Sequence, residues 1–125
     1  MASVYEAVGP VVSQMKSEDE SREVVLDQEF NLAGVTFNDV QNVLENVDAR
    51  DEIVLVREPE NPHDSHAVSV KLKNDGTHVG YVPKRFSRAV ASYLDEGIEL
   101  RADVRRVVHK GKNTNYGIII KILRA

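Results

Sequence analysis

The sequence predicts a mainly β domain with two helices, built as a small twisted or closed barrel of about six strands. Three observations lead there. Apolar residues recur in short runs bounded by turn formers, and only one stretch sustains a long helical period. The chain of 125 residues, 42% of them apolar, suits one domain with a real core.

Taken in order, residues 1–25 read as a tail or linker, because Gly9-Pro10 breaks any early helix and Ser17 to Ser21 is a polar run with nothing to bury. The domain proper spans 26–125. Phe30 to Phe37 reads as a strand. Asn38 and Asp39 can cap a brief helix whose apolar positions are Val40, Val43, Leu44 and Val47. Ile53 to Val56 is a buried strand. Val68, Val70 and Leu72 alternate with Ser69, Lys71 and Lys73, as on a half-buried strand. Asn74-Asp75-Gly76 then turns the chain into His78 to Val82 as a hairpin. The long helix runs from about Pro83 to Glu96 on a stripe of Phe86, Ala89, Val90, Tyr93 and Leu94, with Gly97 just past its end. Leu100 to His109 and Tyr116 to Leu123 form the last hairpin.

Composition removes several function classes. The absence of Cys excludes disulfides and thiolate metal sites. No apolar run approaches the roughly 20 residues that cross a bilayer, and no signal peptide pattern opens the chain, so a soluble, cytoplasmic protein without membrane contact is expected. The net charge of −4 conceals an asymmetry: residues 1–60 hold 4 Lys/Arg against 14 Asp/Glu, and residues 61–125 hold 12 against 6. That gives −10 and +6, which is either an anion-binding face within an acidic molecule or simple neutralisation across the fold.

The long helix carries its charges against its dipole, with Lys84, Arg85 and Arg88 at the positive end and Asp95 and Glu96 at the negative end. Cations beside free N–H groups at a helix start suit a phosphate; local ion pairs with the acidic half are the alternative. Arg101, Arg105, Arg106, His109, Lys110 and Lys112 cluster on the last hairpin with Tyr116 interleaved. Alternation would put Arg101, Asp103, Arg105 and His109 on one face of its first strand.

The densest unusual stretch is Arg57-Glu58-Pro59-Glu60-Asn61-Pro62-His63-Asp64-Ser65-His66-Ala67-Val68. Its prolines enforce a stiff loop between two strands, and Arg57 and Asp64 could pair across it. A metal reading on His63, Asp64 and His66 lacks a fourth ligand, so no metal or other cofactor is expected. With no Gly-rich phosphate loop, Ser-His-Asp set or Cys nucleophile, and no carboxylate cluster forced together, the chain reads as a non-enzyme with no catalytic residues.

This run, followed by Ala67-Val68-Ser69-Val70 and Val79-Gly80-Tyr81-Val82-Pro83, and preceded by Ala33-Gly34-Val35-Thr36-Phe37, resembles the HIRAN domain over about residues 28–123. The resemblance implies an OB-like β-barrel of about six strands flanked by α-helices. It also implies a nucleic-acid-binding module, since in eukaryotic fork-remodelling ATPases such a domain binds the 3′ end of single-stranded DNA. On that basis Phe37 and His63 would sandwich a terminal base, Asp64 would accept from the 3′-hydroxyl, Lys84 would contact a phosphate, Tyr116 would add an aromatic, and Asn61 would shape the loop. The implied partner is single-stranded DNA in repair or processing, with a DNA-processing enzyme as a second partner. Thr36 stands where DNA-binding members place a basic residue, and His63 where Tyr is more usual. A protein-interaction or regulatory domain on the same fold is the competing reading.

Overall fold

The computed structural model describes residues 25–109, 111 and 114–125. Six antiparallel strands form one sheet: β1 (Glu29–Asn31), β2 (Glu52–Glu58), β3 (Ala67–Leu72), β4 (His78–Tyr81), β5 (Leu100–Val108) and β6 (Gly117–Arg124). Two helices, α1 (Asn38–Leu44) and α2 (Lys84–Asp95), complete the fold. The expected tail lies outside the described residues apart from Val25, which is fully buried in the core. None of the described helices is long and apolar enough to cross a membrane.

The strand order is β1-β6-β5-β2-β3-β4. The β3–β4 and β5–β6 hairpins are those expected from the sequence, and β2 and β3 also pair across the proline loop; the β5–β6 pair meets the β2–β3 pair at only two residue pairs, Glu52 with Asp103 and Ile53 with Ala102. The expected barrel is therefore corrected: the sheet is not closed, and it keeps two edges, β1 and β4. A single bridge ties those edges, with the Ala33 amide donating to the Tyr81 carbonyl at 2.8 Å and the Tyr81 amide returning a bond at 2.9 Å. Gly80 permits this approach. Its φ is +149°, and a Cβ there would lie 3.0 Å from the Leu32 Cβ and 3.1 Å from the Ala33 oxygen.

The strand expected over Phe30–Phe37 is shorter, because the chain crosses between edges within it. Leu32 donates its amide to Ile118 of β6, Ala33 pairs with Tyr81 of β4, and Gly34 then takes a φ of +69°. The caps also differ. Phe37 occupies the N-cap of α1 with no side-chain cap bond, leaving Asn38 and Asp39 inside the first turn. The α1 stripe is seen in the buried Val40 and Leu44, but the helix ends at Leu44, and Val47, expected on it, is buried in the segment that follows.

Helix α2 starts one residue after Pro83, which suits a residue lacking an N–H, and it packs on β3. Val90 and Tyr93 are buried, Phe86, Ala89 and Leu94 pack against the core, and Phe86 meets Phe30 with ring centroids 5.0 Å apart. Ser87 and Ala91 are buried as well, so the helix buries a wider face than its apolar stripe. Strand β3 departs from simple alternation: Val68, Ser69 and Val70 are all buried, because both faces of the strand are covered.

Strand β5 is bulged between Val104 and Arg106. The extra residue resets the alternation expected there, and Arg105 and Arg106 both reach Glu29 of β1, at 3.3 and 3.1 Å.

Candidate nucleic-acid interface

The loop between β2 and β3 is held by a set of hydrogen bonds that starts at one residue. Asn61 accepts on its side-chain oxygen from the backbone amides of His63 (2.8 Å) and Asp64 (3.3 Å). Its own amide group donates to Glu58 Oε1 at 3.1 Å, and the Tyr81 hydroxyl donates to that same oxygen at 2.9 Å. Pro59 and Pro62 cannot donate, so a side chain has to organise this backbone.

Asp64 faces α2. It accepts from the Ser87 hydroxyl at 3.0 Å and from the His66 amide at 2.8 Å. The His66 amide bond is the largest influence; burial opposes it, but the Ser87 hydroxyl and the neighbouring His66 and Lys84 add to it, and together they hold the carboxyl below the usual value. Asp64 is thus an ionised acceptor at neutral pH. Arg57 does not pair with it as expected. Its guanidinium instead grips Asp95 at the far end of α2 (3.0 and 3.2 Å) and donates to the Ser65 carbonyl at 2.6 Å. The loop therefore lies along α2, fastened near both ends of the helix.

Phe37 and Tyr116 are both tied to Gln41, whose backbone amide donates to the Phe37 carbonyl at 3.0 Å. Gln41, one turn into α1, donates to the Tyr116 carbonyl at 3.0 Å and accepts from its amide at 2.7 Å. Phe37 itself is 68% exposed, the one large apolar side chain so placed among the described residues. Tyr116 stacks on His109, with centroids 4.1 Å apart and planes 14° from parallel. The fold thus brings Asn61, His63, Asp64 and Lys84 into one group and Phe37 and Tyr116 into another. Tyr81 bridges to Ala33 through its backbone and to Glu58 through its hydroxyl. Burial, then the Glu58 carboxylate, push that hydroxyl above its ordinary range.

Four participants escape sequence reasoning: Gln41, Glu58, Tyr81 and Ser87. Glu58 and Tyr81 stand within the quoted motif runs, which could have drawn attention to them; Gln41 and Ser87 carry no such signal. The basic cluster of the last hairpin is revised in the other direction. Arg101 pairs with Asp103, and Arg105 and Arg106 pair with Glu29, while Lys110 and Lys112 lie outside the described residues. Three arginines thus share two carboxylates, so the fold offsets part of their charge. A cleft of about 960 Å³ opens where β2 and β5 part, lined by Leu55, Leu94 and Leu100, but it includes none of the six candidate residues.

The family now follows from comparison. The HIRAN domain matches residues 25–123, nearly all of the described chain. The chain belongs to the HIRAN domain family. A solved structure, the crystal structure of the HIRAN domain of human HLTF, is similar at a TM-score of 0.56 and 23% identity, covering 76% of this chain and 71% of that one. That likeness shows a shared fold. No curated protein matches the chain.

Proposed function

We propose that this HIRAN domain is a nucleic-acid-binding module that takes the end of a single DNA strand bearing a free 3′-hydroxyl. The observation that carries the reading is Asp64. An ionised carboxylate, fixed by Ser87 and the His66 amide beside the cation of Lys84, offers an acceptor for a hydroxyl and a neighbouring charge for a phosphate. The exposed Phe37 ring and the Tyr116–His109 stack supply flat surfaces for bases. His63 is exposed on the same loop as Asp64, where it can cover a terminal base.

On this reading the domain is a binding module rather than an enzyme, and it works in DNA repair or processing alongside a DNA-processing enzyme, in the cytoplasm. The test is fluorescence anisotropy on three strands of one sequence, ending in a 3′-hydroxyl, a 3′-phosphate or a blocked end. The hydroxyl end should bind tightest, because a terminal phosphate brings like charge to Asp64. Equal affinity for all three ends would remove Asp64 from this role. No binding at low salt would favour a protein-interaction domain on the same fold.

A further inference from the structure

Between the Ala33–Tyr81 bridge and the start of α1, residues 34–37 belong to no helix or strand, yet they carry the exposed Phe37 ring. Tyr116 is placed in a similar way late in the chain, one residue short of β6 and outside its pairing with β5. Backbone without a ladder needs another source of hydrogen bonds. Both stretches find it in one side chain.

Gln41 is half-buried on α1, and its amide group is used on both sides. Nε2 donates to the Val35 carbonyl and to the Tyr116 carbonyl, the latter at 3.0 Å, while Oε1 accepts from the Tyr116 amide at 2.7 Å. These partners fix the orientation of the group, since a reversed amide would set its oxygen against both carbonyls. For Tyr116 the side chain acts as a neighbouring strand would, taking the N–H and the C=O of one residue together. For the segment before α1 it holds Val35, two residues ahead of Phe37, while its backbone amide bonds to the Phe37 carbonyl at 3.0 Å. Both rings therefore stand on backbone that one residue joins across a separation of 75. The Tyr116 ring is steadied in turn by His109, whose Nε2 lies 3.1 Å from the Thr114 carbonyl.

Resting on the base-stacking part of the function proposed above, we infer that Gln41 is a positioning residue of the interface, which sets the spacing between the Phe37 ring and the Tyr116–His109 stack without touching the ligand. Two flat surfaces help a flexible strand most when their spacing is fixed before the strand arrives, because the cost of ordering them is then met by folding. Mutual spacing counts only while both rings are present. That gives Gln41 a signature that a residue merely stabilising α1 lacks.

Gln41→Met tests the role, because Met keeps the length of the stem and suits a helix but offers no donor and only a weak acceptor. In the full chain, NMR should show faster exchange of the Tyr116 amide proton and loss of part of the ring-current shift that Tyr116 imposes on His109. Anisotropy with a thymidylate dodecamer bearing a 3′-hydroxyl, at low salt, should show binding weakened about three- to tenfold, the scale of one lost hydrogen bond. Made in Tyr116→Ala, and separately in Phe37→Ala, the same substitution should cost less than about twofold. Gln41→Glu keeps the acceptor for the Tyr116 amide but sets a carboxylate against two carbonyls, and it should repeat this pattern even where the Met variant fails to fold. Costs that multiply in the double variants mean that Gln41 acts on the fold as a whole and overturn the positioning role, as does unchanged affinity in Gln41→Met. No binding by the unaltered chain, or full affinity in both Phe37→Ala and Tyr116→Ala, overturns the stacking reading itself.

Discussion

Ser87 donates its hydroxyl proton to the carboxylate of Asp64 across 3.0 Å, from a position on α2 that is 2% exposed. The two residues stand 23 apart in the chain. This bond fastens the stiff β2–β3 loop to the first turn of the helix, and it places a fixed negative charge beside Lys84.

The first prediction concerns that charge. Asp64→Asn keeps the shape of the side chain and removes its charge, so the preference for a 3′-hydroxyl over a 3′-phosphate should shrink by about 1.5–3 kcal/mol, the worth of a charge-assisted hydrogen bond. Ser87→Ala should raise the Asp64 pKa toward the ordinary value, because a bond to its charged form is lost. Carbon-detected titration of the carboxyl reads the shift directly. No upward movement would mean that Ser87 does not set the state of Asp64, leaving the His66 amide and the nearby charges to do so.

Phe37→Ala should separate binding from folding. The ring is mostly in solvent, so the thermal midpoint should move by no more than the equivalent of about 0.5 kcal/mol. Binding of a single strand should weaken by about 1–3 kcal/mol if the ring stacks on a base. Paired melting and anisotropy measurements check both halves, and unchanged affinity would remove Phe37 from the interface.

The third prediction is a pH dependence of stability. His78 sits against Ser69, whose hydroxyl lies 2.8 Å from its Nδ1, and burial lowers its pKa below 6.5, with the Glu58 charge opposing and Lys71 adding to the shift. A depressed folded pKa means that the unfolded chain takes up the proton first. The contribution of His78 is therefore complete above pH 6.5 and is lost progressively as pH falls from there through the folded pKa. The thermal midpoint should drop between pH 7.5 and 5.5, and His78→Gln should flatten that part of the profile. An identical profile in the variant would assign the drop to other groups.

Gly80→Ala should be costly. A methyl group would press on Leu32, Ala33 and Val35 at 3.0–3.1 Å, two of those contacts being to side chains of the core wall and one to backbone. Overpacking of this kind costs about 1–3 kcal/mol, before the strain of a positive φ is added. In a domain of this size each kcal/mol lowers the midpoint by roughly 4–8 °C. A midpoint unchanged by the substitution would show that the edge bridge can relax at no cost.

Much of the fold is legible in the sequence because its signals are local. The stripe from Phe86 to Leu94, the Asn74-Asp75-Gly76 turn and the two hairpins depend on residues close in the chain, and these elements stand within a residue or two of where periodicity puts them, whereas the strand expected over Phe30–Phe37 is cut to Glu29–Asn31. The loop from Arg57 to Asp64 is legible for the same reason, since Asn61 organises its immediate neighbours. What sequence reading misses is tertiary. Gln41 meets Tyr116 at a separation of 75 residues, and Arg57 chooses Asp95 at 38 rather than Asp64 at seven. The bulge at Arg105 inverts an alternation that looked secure, and whether six strands close into a barrel depends on two edges that no local pattern describes.

The neighbour of β1 in the sheet is β6, and Leu26 and Asp27 also lie against Ile122. The earliest described residues are therefore completed by the latest. As the chain emerges from a ribosome, Val25, Phe30 and Leu32 lack the β6 side of their packing until residues 117–124 have been made, even though Phe86 of α2 can already meet Phe30. The β2–β3–β4 meander and α2 can form beforehand, but the interior is sealed only once β6 has been made. Translation arrested anywhere before β6 should leave a species with those apolar groups uncovered, a ready substrate for chaperones.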